Sequence, residues 1–390
     1  MKFRSQFGII ALLITSCLHA QEPVFEEIEV NVVEPKKKDE TFPKLKLGGV
    51  FQARYLVNLK DNVDVNGLNY TNGKGVNNSF EIKRMRVSLA ARISENLELN
   101  TLINLADFKN DPKTRVLENA FVKYTISKQL QIQAGQFRPQ FGIEDSHAVD
   151  IIKSIDWSNA YYLMGSNGWQ SFQIGVSAGG EVDLGKVPFH YAVSITNGNG
   201  KNTLDNNDGK HYTGRFSFDL DKKHDFTVGI SGGIGDENLK KVYAYGFDFT
   251  YKVNLAQDWS VDFRAEGYQA TNHVLYTSVL ASLGEENAPQ ININDYLLGG
   301  FYVLPNLRYE IGHPRFKAVE FSLRYEYLDA STKIDSNPRQ TWTPMLSLEF
   351  LKNYGARLQV GMQFDNYKTN IPNTKNYNSS LGFVQFQCRL

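Results

Sequence analysis

Long apolar runs are missing from this chain. Beyond the N-terminal segment no stretch approaches the roughly 18 consecutive apolar residues of a spanning helix, so no membrane helix is expected. Cysteine is nearly absent too: Cys17 and Cys388 are the only two, which excludes a disulfide framework and a cysteine metal site. Neither sign of charge dominates, with 42 Lys and Arg against 42 Asp and Glu. So neutral a chain lacks the electrostatic footprint of a nucleic-acid binder. The seven histidines are scattered without metal-ligand spacing. Gly232-Gly233-Ile234-Gly235 and Asn197-Gly198-Asn199-Gly200 lack the P-loop lysine and precede no helical pattern, so both read as turns. Asp145-Ser146-His147 falls within one loop and makes no nucleophile triad on its own. No enzyme, cofactor or metal site is therefore expected.

What is present is apolar residues without apolar runs. Hydrophobic residues make up 42% and aromatics 13%, yet mean hydropathy is −0.37. That combination leaves a soluble β protein, or a barrel whose oily face is spread over alternating residues. The start reads as a secretory signal over residues 1–20: Lys2 and Arg4, then the apolar Gly8 to Leu13, then cleavage after Ala20. Ile14-Thr15-Ser16-Cys17 offers a rival lipoprotein box that would lipidate Cys17. Both readings export the chain. Residues 21–43, charged and proline-bearing, read as a flexible periplasmic lead, and residues 44–390 as the folded domain.

In that domain the period is two. Phe51, Ala53, Tyr55, Val57 and Leu59 alternate with Gln52, Arg54 and Asn58, and Val319 to Tyr327 alternates with Glu320, Ser322, Arg324 and Glu326. Sixteen such runs are expected, near 45–59, 79–93, 96–108, 115–126, 130–138, 168–179, 187–197 and 211–220. The rest lie near 224–235, 240–254, 257–271, 295–312, 317–330, 341–351, 354–367 and 378–390. The gaps between them alternate short and long. A soluble sandwich has no reason to segregate its loops, whereas an outer-membrane barrel has short periplasmic turns on one rim and longer extracellular loops on the other. In lipid the sheet must also close, so that no edge N–H or C=O is stranded. The expected fold is an all-β transmembrane antiparallel barrel of about sixteen strands. Aromatics at strand ends (Tyr124, Tyr243, Tyr251, Trp259, Tyr325, Tyr327 and Trp342) fit the headgroup level. Pro305 is awkward in the twelfth strand and predicts a bulge or a misplaced boundary. The last strand ends on Val384, Phe386, Cys388 and Leu390, an amphipathic terminus suited to barrel-assembly machinery, with Cys388 toward lipid.

Several stretches resemble the phosphate-selective porin O and P family. They are Phe80 to Leu89 (FEIKRMRVSL), Ala134 to Glu144 (AGQFRPQFGIE), Gln173 to Val176, Ile195 to Gly198 and Leu323 to Asp329. The resemblance implies a sixteen-stranded porin, homotrimeric, with a constricting third loop. Anion selectivity does not carry over from the residues, because the loop 139–167 holds Glu144, Asp145, Asp150 and Asp156 against Lys153 and a neutral His147, beside Arg138. Strand parity turns Arg54, Arg84, Arg86, Arg92, Arg357 and Arg389 toward the lumen as one basic wall, since closure brings the last strand beside the first. Asp262, Glu266, Glu310, Glu320 and Glu326 would face it, softened by Arg264, Arg308 and Arg324. The expected function is passive diffusion of small polar solutes or ions across the outer membrane through a transverse field, with an anion, phosphate-like preference as a further option. A plugged adhesin-like barrel or a barrel enzyme would need a filled lumen or a clustered His/Ser/Asp set instead.

Overall fold

The computed structural model describes residues 41–73, 75–109, 116–237, 240–283 and 291–390. The export signal over 1–20 with Cys17, and the lead over 21–43 save its last three residues, lie outside the described residues.

Among the described residues sixteen antiparallel strands close into one barrel, each paired with its sequence neighbours and the last with the first. They are β1 (Lys44–Asn58), β2 (Asn78–Arg92), β3 (Leu97–Asn104), β4 (Leu117–Thr125), β5 (Gln131–Phe137), β6 (Gln173–Leu184), β7 (Val187–Thr196) and β8 (His211–Asp221). They continue with β9 (Phe226–Glu237), β10 (Lys240–Asn254), β11 (Trp259–Thr271), β12 (Leu297–Glu310), β13 (Ala318–Asp329), β14 (Arg339–Leu351), β15 (Ala356–Tyr367) and β16 (Ser379–Arg389). Closure pairs Phe51 with Cys388 and Tyr55 with Val384, so no edge is left to lipid. The outward rows carry the oily residues, as Phe80, Ile82, Met85 and Leu89 on β2 and Tyr245 and Phe247 on β10 are exposed. The inward rows carry Gln52, Arg84, Asp248, Asn306 and Gln385, all buried.

Three expectations are corrected. Pro305 makes neither a bulge nor a boundary: β12 runs through it, and the pairing with β13 keeps one register from Val303–Tyr325 to Asn306–Ser322. The ring points outward, and the strand loses only local ladder pairing. The sixth strand starts at Gln173, not near 168, because the third outer loop extends to residue 172 and folds into α1 (Ile143–Ser146) and α2 (Asn159–Ser166). The 232–235 glycines are not a turn but lie in β9; a Cβ at Gly233 would stand 2.6 Å from the Trp169 ring, so glycine opens a slot for that side chain. A helix also stands where only a loop was expected, α3 (His273–Leu283), where the Asn272 carboxamide accepts the Leu275 N–H at 3.1 Å.

The apolar core lies inside the barrel. Phe141, Ala160, Met164 and Trp169 from the third loop pack on Val242, Ala244, Tyr268 and Leu298 of β10–β12, with Tyr276 of α3 over them. Across the lumen Ile155 packs on Leu56, Met345 and Phe383. The loop thus bridges the bore, and its attachment to β10–β12 is dry.

Candidate functional site

The loop turns inward at Gly142. There φ is +80°, and a Cβ would fall on the Glu266 carboxylate and the Tyr268 hydroxyl. The Gly142 N–H donates to Ser231 Oγ at 3.0 Å and the Ile143 N–H to Glu266 Oε1 at 2.6 Å. Glycine here lets the backbone lie on β9 and β11, which aims the rest of the loop across the bore.

Toward β1 and β2, Asp156 gathers three cations. Arg84 Nη2 is 2.6 Å, Lys83 Nζ 2.9 Å and Arg54 Nη1 3.6 Å from its carboxylate, and the Tyr162 hydroxyl donates to it at 2.5 Å. Burial alone would raise this carboxyl, but Arg84, Lys83 and Arg54 together hold it well below the usual range. Lys83 escaped strand parity because a bulge sets Gln52 opposite Arg84 and Ala53 opposite Ile82, leaving Lys83 as the extra residue. Arg54 also pairs with Glu81. Arg86 forks onto Glu118, at 2.6 and 2.9 Å.

The remaining arginines of the expected wall divide. Arg357 donates to the carbonyls of Asp150 and Ile152 at 3.1 and 3.0 Å, and Arg389 Nε pairs with the Asp150 carboxylate at 3.0 Å. Arg92 does not line the bore: it is exposed at the short-turn rim, donates to the Glu95 carbonyl and lies over the Phe42 ring. It ends its strand, so parity could give its direction but not its depth.

On the acidic side Lys153 pairs with Asp262, and the Asn159 N–H donates to Glu326 at 2.6 Å. Glu144 and Asp145 do not face the arginine wall. Glu144 accepts the Ser158 N–H and hydroxyl at 2.9 and 2.5 Å, and Asp145 accepts the N–H groups of Gln140 and Ser171 at 2.8 and 2.9 Å. Burial pushes Glu144 up to about 7 and Asp145 up to about 6. The loop's acids are thus either saturated by cations or spent on its own backbone.

Two cavities meet at a neck. One, of 480 Å³, opens toward the short-turn rim; the other, of 490 Å³, opens toward the long loops. Arg86, Arg138 and Phe172 line both. Arg138 sits 5.2 Å from the Trp157 ring centre and 4.9 Å from that of Phe172, and one amino group donates to the His147 carbonyl at 2.8 Å. Among the described residues it makes no ion pair. The neck is therefore positive although the loop sequence is acidic. The rings flanking Arg138 were invisible to strand parity because loop residues supply them.

Residues 57–241 match the family described as phosphate-selective porin O and P. Among solved structures the chain is similar to an anion-selective porin from Comamonas acidovorans, at 10% identity over 90% of this chain and 100% of that one, with a TM-score of 0.57. It is similar to the outer membrane channel DcaP of Acinetobacter baumannii at 11% identity, 89% and 97% coverage and a TM-score of 0.54. The trimer form of OmpT from Vibrio cholerae matches at 11% identity, 89% and 99% coverage and a TM-score of 0.54. Comparison with curated proteins gave no match. At these identities the structural likeness speaks for the fold.

Proposed function

We propose, from the premise that this chain is an outer-membrane porin whose residues 57–241 match the phosphate-selective porin O and P family, that it conducts small hydrophilic anions past Arg138. The observation that carries this reading is the guanidinium at the meeting point of the two cavities, held by two rings and a carbonyl, with no carboxylate in ion-pair reach and the buried Asp145 acting on it only at longer range. A fixed, always-charged fork in a narrow, low-dielectric passage concentrates anions and repels cations. Phosphate and carboxylates both suit its geometry. Arg86 contributes less, because Glu118 neutralises it. The transverse field expected from the sequence becomes local: Asp156, Glu81 and Glu118 together offset three of the four β1–β2 cations Arg54, Lys83, Arg84 and Arg86, and Arg138 adds to the positive charge that remains.

A trimer of such barrels is part of the same proposal, supported by the trimer form of OmpT and by the family resemblance. The measurement is the reversal potential in a KCl gradient across a planar bilayer. The wild type is expected to be anion-selective, R138Q to lose most of that preference and R138E to become cation-selective. Identical reversal potentials in all three would refute the role of Arg138.

A further inference from the structure

A third cavity, of 430 Å³, lies on the far side of the loop, among β8–β11 and Tyr354 of the turn between β14 and β15. It opens at the short-turn rim, where Asp225 and Lys252 stand. Inward, among the described residues, it adjoins a recess of 20 Å³ between Ile143, Trp157, Leu304 and Arg324, room for about one water. Beyond that the apolar core of Phe141, Met164 and Tyr268 seals the loop to the wall. The cavity is blind, and its size suits a small molecule.

Its charges are arranged for an anion. Arg215 is spent on Asp248, at 3.0 and 2.6 Å, and Lys153 on Asp262. Arg264, half-buried between them, makes no hydrogen bond or ion pair among the described residues. Ser217 Oγ accepts from Arg215 at 3.2 Å and keeps its own hydrogen for a ligand. The carboxylates facing the space are engaged: Asp262 by Lys153 and Asn306, Asp225 by Lys252 at 3.9 Å. The field is felt by the loop, because burial, then Arg264, Arg215 and Lys153, push the His147 imidazole down to about 4 and keep it neutral. A half-buried guanidinium without a protein partner, facing an open cavity, keeps its fork of N–H donors available to a bound oxyanion.

We propose that this blind cavity is a second, non-conducting site that binds a small oxyanion from the periplasmic side, with Arg264 as its anchor and Ser217 as a donor. Ser146 and His147 line both this cavity and the one below the neck, and the His147 carbonyl holds Arg138. An occupant would therefore lie against the same turn whose carbonyl holds the neck arginine, on the side away from the conducting route.

The test is calorimetric titration of inorganic phosphate into the purified full chain in a non-ionic detergent. In R138Q, which removes the neck charge, a phosphate site is expected to persist. In R264Q that site should weaken at least about tenfold, the scale of one charge-assisted hydrogen bond, while the bilayer reversal potential stays at the wild-type value. R264K, with the charge but not the fork, should fall between them and supplies the comparison if R264Q does not fold. Phosphate binding in R264Q and R264K equal to wild type, or no binding left in R138Q, would overturn the site. Neither result touches the proposal for Arg138.

Discussion

Glu144 shows how one side chain couples the loop to pH. It lies buried beside Glu266, whose carboxylate accepts its backbone N–H at 3.3 Å, with Glu326 and Arg324 nearby. Docked, its carboxyl is pushed up to about 7; released into water it returns to the ordinary 4.5. The docked loop therefore binds the proton more tightly, so docking is strongest at low pH and weakens as pH rises from about 4.5 through about 7. Asp156, held well below the usual range, acts oppositely and only in stronger acid. The expected outcome is quieter single-channel current at pH 5 than at pH 8, with the difference much reduced in E144Q. Current noise in E144Q that still rises with pH as in wild type would exclude Glu144 as the cause. Residue identities were legible in the sequence, but partners were not. Arg54, Arg84, Arg86, Arg357 and Arg389 do face inward or toward the loop, because parity holds on either side of the bulge at Lys83. That Asp156 rather than Glu144 meets them depends on how the loop folds.

At the scale of elements, the third loop behaves as a small domain docked in the bore. Trp169 is fully buried, stacks on His211 at 4.2 Å and occupies the slot opened by Gly233. W169A should cost about 3–5 kcal/mol of docking, the range for deleting a large buried aromatic. The readout is single-channel current, expected to fluctuate more and to gain larger open levels; a current trace indistinguishable from wild type would show that the loop is held elsewhere. Strands were readable because a sheet with lipid on one face and water on the other imprints period two. Elements inside the lumen answer to neither solvent. The helices α2 and α3 pack against the inner wall on short apolar stretches, so their signal disappears among the loops. The Gly233 slot and the Lys83 bulge depend on a partner or a register that one strand's sequence does not carry. Pro305 likewise costs only its local rungs, because the pairs on either side of it hold one register, which a single strand's sequence does not show.

For the molecule as a whole, the arrangement is asymmetric. The third loop seals to β10–β12 through an apolar core, and the two cavities of the open route run beside β1–β5. A barrel of sixteen strands could hold a wide central channel; this one is divided into an open lane at Arg138 and a closed bay at Arg264. The test is bulky thiol-reagent modification of R138C and R264C in a planar bilayer, with the wild type and its lipid-facing Cys388 as control. Modification of R138C is expected to block most of the current, and modification of R264C to leave most of it. Equal block at both positions, or none at R138C, would contradict a single lane past Arg138.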